Sequence, residues 1–172
     1  MSEKQIAISV RNLVKYFGPH KVLDGVSLDI YRGETFVIMG GSGCGKSTLL
    51  RHMTGAIQPD SGQIFFGEKE MTTLTISERE KIKRRFGMCY QSAALIDYMT
   101  VEENVALPLK EHTRLDARII DIIVQMKLNL VGLKDFGKLM PSMLSGGMKK
   151  RVGLARAIAM DPEVVFYDEP RS

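Results

Sequence analysis

The chain has 172 residues, of which 44% are hydrophobic and 26% are charged. This balance is typical of a soluble globular domain with a buried core, and it excludes a disordered chain, a collagen and a coiled coil. The net charge of +4 selects no partner by itself, the two cysteines show no disulfide or zinc-site spacing, and no apolar run reaches the roughly 20 residues of a membrane-spanning helix.

The first third of the sequence predicts strands followed by a helix. Alternating apolar residues predict strands over 6–10 and 28–30. The continuous apolar run 36–39 ends in glycines and predicts a strand buried on both faces. A helix is then expected over 46–54, ended by Gly55.

The remaining sequence predicts helices between further strands. After a turn at 59–62 and a strand over 63–66, the capping-box spacing of Ser77 and Glu80 predicts a short basic helix that runs to Arg85. Further along, we expect a strand over 86–90, an amphipathic helix that starts at 116 and presents apolar residues 119, 122, 123, 126 and 130, a helix over 145–160, and a buried strand over 164–167.

A phosphate-binding loop is predicted between the strand at 36–39 and the helix that follows it. The sequence GGSGCGKS at 40–47 has the spacing G-x-x-x-x-G-K-[ST], in which glycine amides converge on a phosphate at a helix N-terminus. Lys46 is expected to reach the outer phosphates and Ser47 to ligate magnesium. An ordinary glycine-rich turn is the alternative, but it leaves the Lys-Ser pair unexplained. The predicted binding residues are Gly40, Gly41, Ser42, Gly43, Cys44, Gly45, Lys46, Ser47 and Thr48.

Two carboxylates follow the last predicted strand. Asp168 emerges at the carboxyl end of a core strand, where α/β sheets place their ligands, and is the natural magnesium partner. Glu169 is the candidate that orients and polarises an attacking water. Taken by itself, the sequence Asp-Glu-Pro could equally be a solvent-exposed turn that closes the strand. The predicted phosphate loop favours the catalytic interpretation.

A second anion-binding element is predicted at LSGGM, residues 144–148. Ser145 is a helix N-cap residue, and Gly146 and Gly147 expose backbone amides. One nucleotide needs only one phosphate loop. A second anion-binding element therefore favours a two-fold dimer, in which residues 144–148 of each chain contact the nucleotide bound to the phosphate loop of the partner. In isolation, a plain capped helix is the better interpretation.

With these motifs in this order, the chain resembles the ATP-binding cassette (ABC) transporter ATPases over essentially its full length. The resemblance implies an α/β fold, a P-loop NTPase core with an amino-terminal antiparallel β portion and a helical subdomain, with ATP and Mg²⁺ as cofactors. Residues 40–48 correspond to the Walker A loop, 144–148 to the signature and 164–169 to Walker B. Gln91 matches the Q-loop glutamine, and Phe17 matches the aromatic that stacks on adenine.

The resemblance also implies residue roles and a domain layout. The implied catalytic residues are Lys46, Gln91 and Glu169, and the implied magnesium ligands are Ser47, Gln91 and Asp168. Without the resemblance, Phe17 is a core or loop aromatic and Gln91 a surface polar residue. The family layout predicts one incomplete domain over 1–172, with a core of 1–91 and 145–172 and a helical subdomain of 92–144. The sequence ends before the family's D-loop and switch histidine, so we expect nucleotide binding without the full catalytic set, and low solubility.

Residues 91–115 and 138–163 more narrowly resemble the ATPase subunit of Mla-type (Mce-associated) lipid transporters, whose signature shares Met148. This implies phospholipid transport between bacterial inner and outer membranes, driven from the cytoplasmic face of the inner membrane. The implied partners are a second ATPase subunit, a transmembrane permease and a periplasmic Mce-type lipid-binding subunit, with no nucleic acid. The alternatives are a non-hydrolysing module that docks on or regulates a full-length ABC ATPase, and a soluble ABC protein of DNA repair or translation. The latter's coiled-coil insertions or tandem cassettes are missing from this sequence.

Overall fold

The computed structural model describes residues 5–168, which divide into two compact units on either side of the boundary between Lys83 and Arg84. The first unit is built on a four-stranded antiparallel sheet in the order β2-β1-β3-β4. Its strands are β1 (Ile6–Phe17), β2 (His20–Tyr31), β3 (Ser61–Phe66) and β4 (Lys69–Glu70).

Strands β1 and β2 form a hairpin that is longer than the two strands that the sequence predicts. Their register shifts between Val10 and Leu13 and again between Leu13 and Lys15. Each shift changes the side on which the next side chain lies, so the alternation that predicts a strand is interrupted although the pairing continues. Val10 and Leu13 are fully buried beneath this sheet.

The prediction of a buried strand at 36–39 is wrong. Residues 34–41 have no regular secondary structure, and Phe36, Val37 and Met39 are 42%, 67% and 86% exposed. A strand exists only where a neighbour completes its hydrogen-bond ladder, and within residues 5–168 no strand pairs with this run. Apolar composition reports a tendency to be buried, but it does not report whether a partner strand is available.

Two helices complete the first unit, α1 (Lys46–Met53) and α2 (Ile76–Lys83). The predicted helix after the phosphate loop is confirmed. The capping box of α2 is formed by Thr75 and Glu78, whose side chain accepts from the Thr75 amide at 3.0 Å, and not by Ser77 and Glu80. Both pairs have the S/T-x-x-E spacing, and sequence alone does not select between registers two residues apart.

The second unit packs helices beside a parallel pair of strands, β5 (Phe86–Cys89) and β6 (Val164–Tyr167). Its helices are α3 (Val101–His112), α4 (Ala117–Leu130) and α5 (Gly146–Ala157), with 3₁₀ turns at Lys134–Phe136 and Pro141–Met143. These strands and the helices α4 and α5 are confirmed, whereas α3 was not predicted as a separate element. The α/β fold with an antiparallel amino-terminal portion is confirmed as well. The shared core of the three helices includes Val101, Val105, Val124, Leu128, Leu133 and Val152.

Helix α4 presents a different face to this core from the one its apolar spacing indicated. Ile120, Val124 and Leu128 are buried at i, i+4 spacing. The positions named from the sequence lie mostly on the exposed side, where Ile119, Ile122, Met126 and Leu130 form an apolar stripe. None of the helices in the described residues has the length and hydropathy that a bilayer-crossing segment needs.

His52 lies on α1 and is enclosed in the first unit, with 1% of its surface exposed. Its Nδ1 lies 2.7 Å from the carbonyl oxygen of Thr48, which can only accept, so Nδ1 is the donor. Burial lowers the pKa of His52 below its ordinary 6.5 and nearby Lys15 lowers it further, although hydrogen bonding to Thr48 and Gln58 and the charge of Asp60 oppose this.

We expect the folded state to lose stability as the pH falls below about 6.5, because the unfolded chain then binds a proton that the buried ring resists. Above that pH both states hold a neutral ring and the contribution is complete. Because His52 binds one proton, the unfolding free energy cannot change by more than about 1.4 kcal/mol per pH unit through this group. Urea unfolding at pH 7.5 and 5.5 should show this dependence in the parent and in His20→Gln, but not in His52→Leu. An equal slope in His52→Leu would contradict the assignment.

Candidate functional site

The loop 40–45 leads directly into the N-terminus of α1 through Gly45. Gly45 has a φ of 94°, and a Cβ there would lie 3.0 Å from the carbonyl oxygen of Val22 and 3.1 Å from Leu23. Glycine therefore lets the loop pass β2 and turn into the helix. Gly45 is also the N-cap of α1, so no side chain caps the first turn, which contains no acidic residue. The helix end presents its amides and positive dipole to an anion.

Lys46 folds back over this loop. Its Nζ donates to the carbonyl oxygens of Gly40 at 2.9 Å and Gly41 at 2.8 Å. The structure therefore brings the predicted lysine together with the loop glycines. An ammonium in this position gives the loop a point charge to accompany its amide dipoles.

Phe17 lies on the hairpin that contacts this loop, at the end of β1. Its ring is 49% exposed, with Nζ of Lys15 5.7 Å from the ring centroid. Tyr16 is similarly exposed and lies beneath Lys21. An exposed ring can offer a face to a planar base, so Phe17 has the accessibility that its predicted role needs.

In the second unit, Gln91 and Asp168 follow the carboxyl ends of paired strands. Cys89 pairs with Tyr167 in the parallel register, and the Asp168 amide donates to the carbonyl oxygen of Cys89 at 3.0 Å. Gln91 and Asp168 line one cavity of about 180 Å³. The rule that ligands collect beyond the carboxyl ends of parallel strands accounts for this meeting.

Ser145 caps α5 as predicted, and its Oγ accepts from the amide of Met148 at 3.3 Å. A Cβ on Gly146 or Gly147 would meet open space, so the start of α5 is open on the side of these glycines. This geometry suits an anion cradle, and it suits a plain capped helix equally well. The role of Ser145, Gly146 and Gly147 toward a partner's nucleotide stays a prediction.

The residues predicted to hold magnesium carry a hydroxyl, an amide oxygen and a carboxylate. Oxygen donors of this kind are the ligands that Mg²⁺ prefers. Gln91 and Asp168 face the same cavity, and Ser47 lies at the start of α1 in the first unit. Each of the three donor types therefore suits the ion. Glu169, predicted to act on the attacking water, lies outside the described residues.

The two cysteines differ in accessibility. Cys44 is exposed in the phosphate loop, 3.9 Å from Nζ of Lys46. Cys89 is partly buried, and burial raises the pKa of its thiol to about 11, although Tyr167 and Arg156 oppose the shift. Thiolates are the reactive form, so Cys89 is protected from alkylation.

We therefore expect one equivalent of N-ethylmaleimide to modify Cys44 and to block nucleotide binding, because the adduct occupies the mouth of the loop. Mass spectrometry of peptides and binding of a fluorescent ATP analogue check this. Cys44→Ser should keep its binding after the same treatment, and Cys89→Ser should lose it. Undiminished binding after complete modification of Cys44 would contradict the expectation.

Residues near Gln91 also include two that the sequence did not single out. Arg156 donates to the carbonyl oxygens of Ala93 and Ala94, and Gly153 lies against Ala93. In the sequence, an arginine that bonds to a distant turn looks the same as an arginine on the solvent-exposed face of a basic helix. No local signal therefore marked Arg156.

Comparison with known proteins agrees with these motifs. The model of the family described as ABC transporter matches residues 23–172. The chain belongs to this family. It is 43% identical over 166 residues to the intermembrane phospholipid transport system ATP-binding protein MlaF of Haemophilus influenzae, covering 96% of this chain and 63% of that protein. The Escherichia coli K12 protein of the same name is 44% identical over 163 residues, covering 95% of this chain and 61% of that protein.

The ABC chain is also similar to solved ATP-binding cassettes. The dimeric structure of a post-hydrolysis state of the cassette MJ0796, bound to ADP and Pi, superposes with a TM-score of 0.86 at 32% sequence identity. The match covers 95% of this chain and 74% of that one. The chain thus spans less than two thirds of the MlaF relatives and about three quarters of this cassette.

Proposed function

We propose that this chain binds ATP and Mg²⁺ and acts as the ATP-hydrolysing subunit of a phospholipid transporter. The observation that carries the proposal is the loop 40–48, in which a glycine N-cap opens α1 to an anion and Lys46 lies across the loop carbonyls. Membership of the ABC family and the likeness to MlaF support the choice of nucleotide and of cargo.

In this proposal Lys46 binds the outer phosphates and Phe17 stacks on the base. Ser47, Gln91 and Asp168 hold Mg²⁺, which when bound supplies positive charge against the phosphoryl oxygens. Gln91 also orients the attacking water, and Glu169 polarises it and accepts its proton.

The proposed assembly is a two-fold dimer in which Ser145, Gly146 and Gly147 contact the nucleotide on the partner's loop. The dimeric MJ0796 cassette supports this arrangement. The proposed further partners are a transmembrane permease and a periplasmic Mce-type lipid-binding subunit, which place the chain at the cytoplasmic face of the inner membrane. The exposed apolar stripe of α4 and Tyr98, which is 80% exposed, support contact with partner chains. Nucleic acid is not among the proposed partners.

The test is magnesium-ATP binding and steady-state phosphate release, each measured on the parent and on Glu169→Gln. We expect Glu169→Gln to bind ATP normally and to lower kcat by about 100-fold, because an amide cannot accept the proton of the attacking water. Unchanged kcat would remove Glu169 from the mechanism. Binding without any turnover in the parent would select the non-hydrolysing module, and no binding would overturn the proposal. ATP-dependent lipid movement in vesicles that also contain the permease tests the cargo.

A further inference from the structure

The turn that follows Gln91 has a backbone conformation that alanine rarely adopts. Ala93 and Ala94 have φ values of 60° and 46°, both in the left-handed region. Two successive residues of this kind without glycine persist only where the surrounding structure holds them. The contacts of this turn therefore bear directly on where Gln91 lies.

The first contact is a fork of hydrogen bonds from α5. Arg156 donates from Nη2 to the carbonyl oxygen of Ala93 at 2.7 Å and from Nη1 to that of Ala94 at 2.8 Å. One planar guanidinium thus engages the carbonyls of both left-handed residues. Lysine carries a compact ammonium on a different stem, and it does not reproduce this fork.

The second contact is a close fit between the turn and the α5 backbone. Ala93 is 2% exposed, and a Cβ added to Gly153 would lie 3.2 Å from its Cβ and 3.3 Å from its Cα. A Cβ at position 153 would require the turn to shift by a few tenths of an ångström. Gly153 and Arg156 are three residues apart, so they occupy one face of the helix.

We propose that Gly153 and Arg156 are positioning residues for Gln91. They clamp the turn to α5 and so fix where Gln91 enters the cavity that it shares with Asp168, which Ala93 and Gly153 also line. This inference rests on the proposed role of Gln91, and it assigns to α5 a second task beyond the serine-glycine motif at its start.

The decisive experiment adds a methyl group at position 153 and then removes the methyl group of Ala93, which lies opposite it. Gly153→Ala should fold, since alanine favours a helix over glycine, yet its methyl displaces Ala93. We expect faster hydrogen–deuterium exchange in residues 91–96 and a kcat lower by roughly 10- to 100-fold, with little change in ATP affinity. The double variant Gly153→Ala/Ala93→Gly should restore both in part. It removes the 3.2 Å contact with the Ala93 Cβ and lets residue 93 adopt its positive φ without strain, while the backbone of residue 93 still lies 3.3 Å from the added methyl.

Arg156→Lys gives an independent reading of the same clamp. It keeps the positive charge but not the fork, and we expect the same local increase in exchange and loss of kcat. Arg118→Lys, on the exposed side of α4, is the matched control and should behave as the parent.

The outcomes separate the clamp from the proposed function. Exchange over 91–96 that is unchanged in Gly153→Ala, or no slower in the double variant than in Gly153→Ala, overturns the clamp whatever the activity. Altered exchange with unchanged kcat overturns the positioning role. If the parent itself does not hydrolyse ATP, the proposed function fails, and the exchange data still decide whether α5 holds the turn.

Discussion

Replacing Lys46 with alanine is expected to weaken magnesium-ATP binding by about 1,000-fold, or ~4 kcal/mol. The ammonium lies over the loop, where its Nζ bonds to the carbonyl oxygens of Gly40 and Gly41. Charge-assisted bonds to phosphate are roughly twice as strong as neutral ones, and alanine removes both the donor and the charge. Titration calorimetry with a non-hydrolysable ATP analogue measures the effect.

Lys81→Ala is the control for the loss of one positive charge in the same unit. Lys81 is exposed on α2, and this variant should bind the nucleotide as the parent does. Circular dichroism of both variants verifies that the fold is kept. Binding by Lys46→Ala within tenfold of the parent would remove the lysine from the phosphate site, and loss of binding in Lys81→Ala would show that overall charge is responsible.

Residues 40–48 could be predicted as a phosphate-binding loop because the requirements of such a loop are local. The spacing of glycines, the lysine and the following helix all lie within about ten residues, and each has its own physical reason. The place of Asp168 at the carboxyl end of a core strand follows from a rule of similar simplicity, whereas the position of Gln91 beside it was implied only by the resemblance to the family.

Features that depend on distant partners were not readable in the same way. The run 36–39 has the composition of a core strand but no ladder among the described residues, and the β1–β2 hairpin extends through shifts that interrupt its alternation. The Arg156 fork joins residues more than sixty positions apart, and the room at Gly153 is apparent only once Ala93 is seated against it. Sequence patterns report local preference, whereas these features are set by tertiary contact.

Asn104 provides the second large expected effect, on stability. Its side chain is fully buried on α3 and pins the segment that follows the Gln91 turn. Oδ1 accepts from the amide of Ile96 at 2.8 Å, while Nδ2 donates to the carbonyl oxygens of Ile96 and Met99, each at 3.1 Å. Asn104→Ala leaves the Ile96 amide and the Met99 carbonyl without this partner, whereas the Ile96 carbonyl still accepts from the Met99 amide.

The expected loss is about 3–4 kcal/mol of unfolding free energy, because each buried polar group left unsatisfied costs about 1–3 kcal/mol and relaxation recovers part of it. Urea denaturation of Asn104→Ala measures it, and Asn129→Ala, at an exposed position of α4, should stay within about 0.5 kcal/mol of the parent. A loss below about 1 kcal/mol in Asn104→Ala would mean that water replaces the amide.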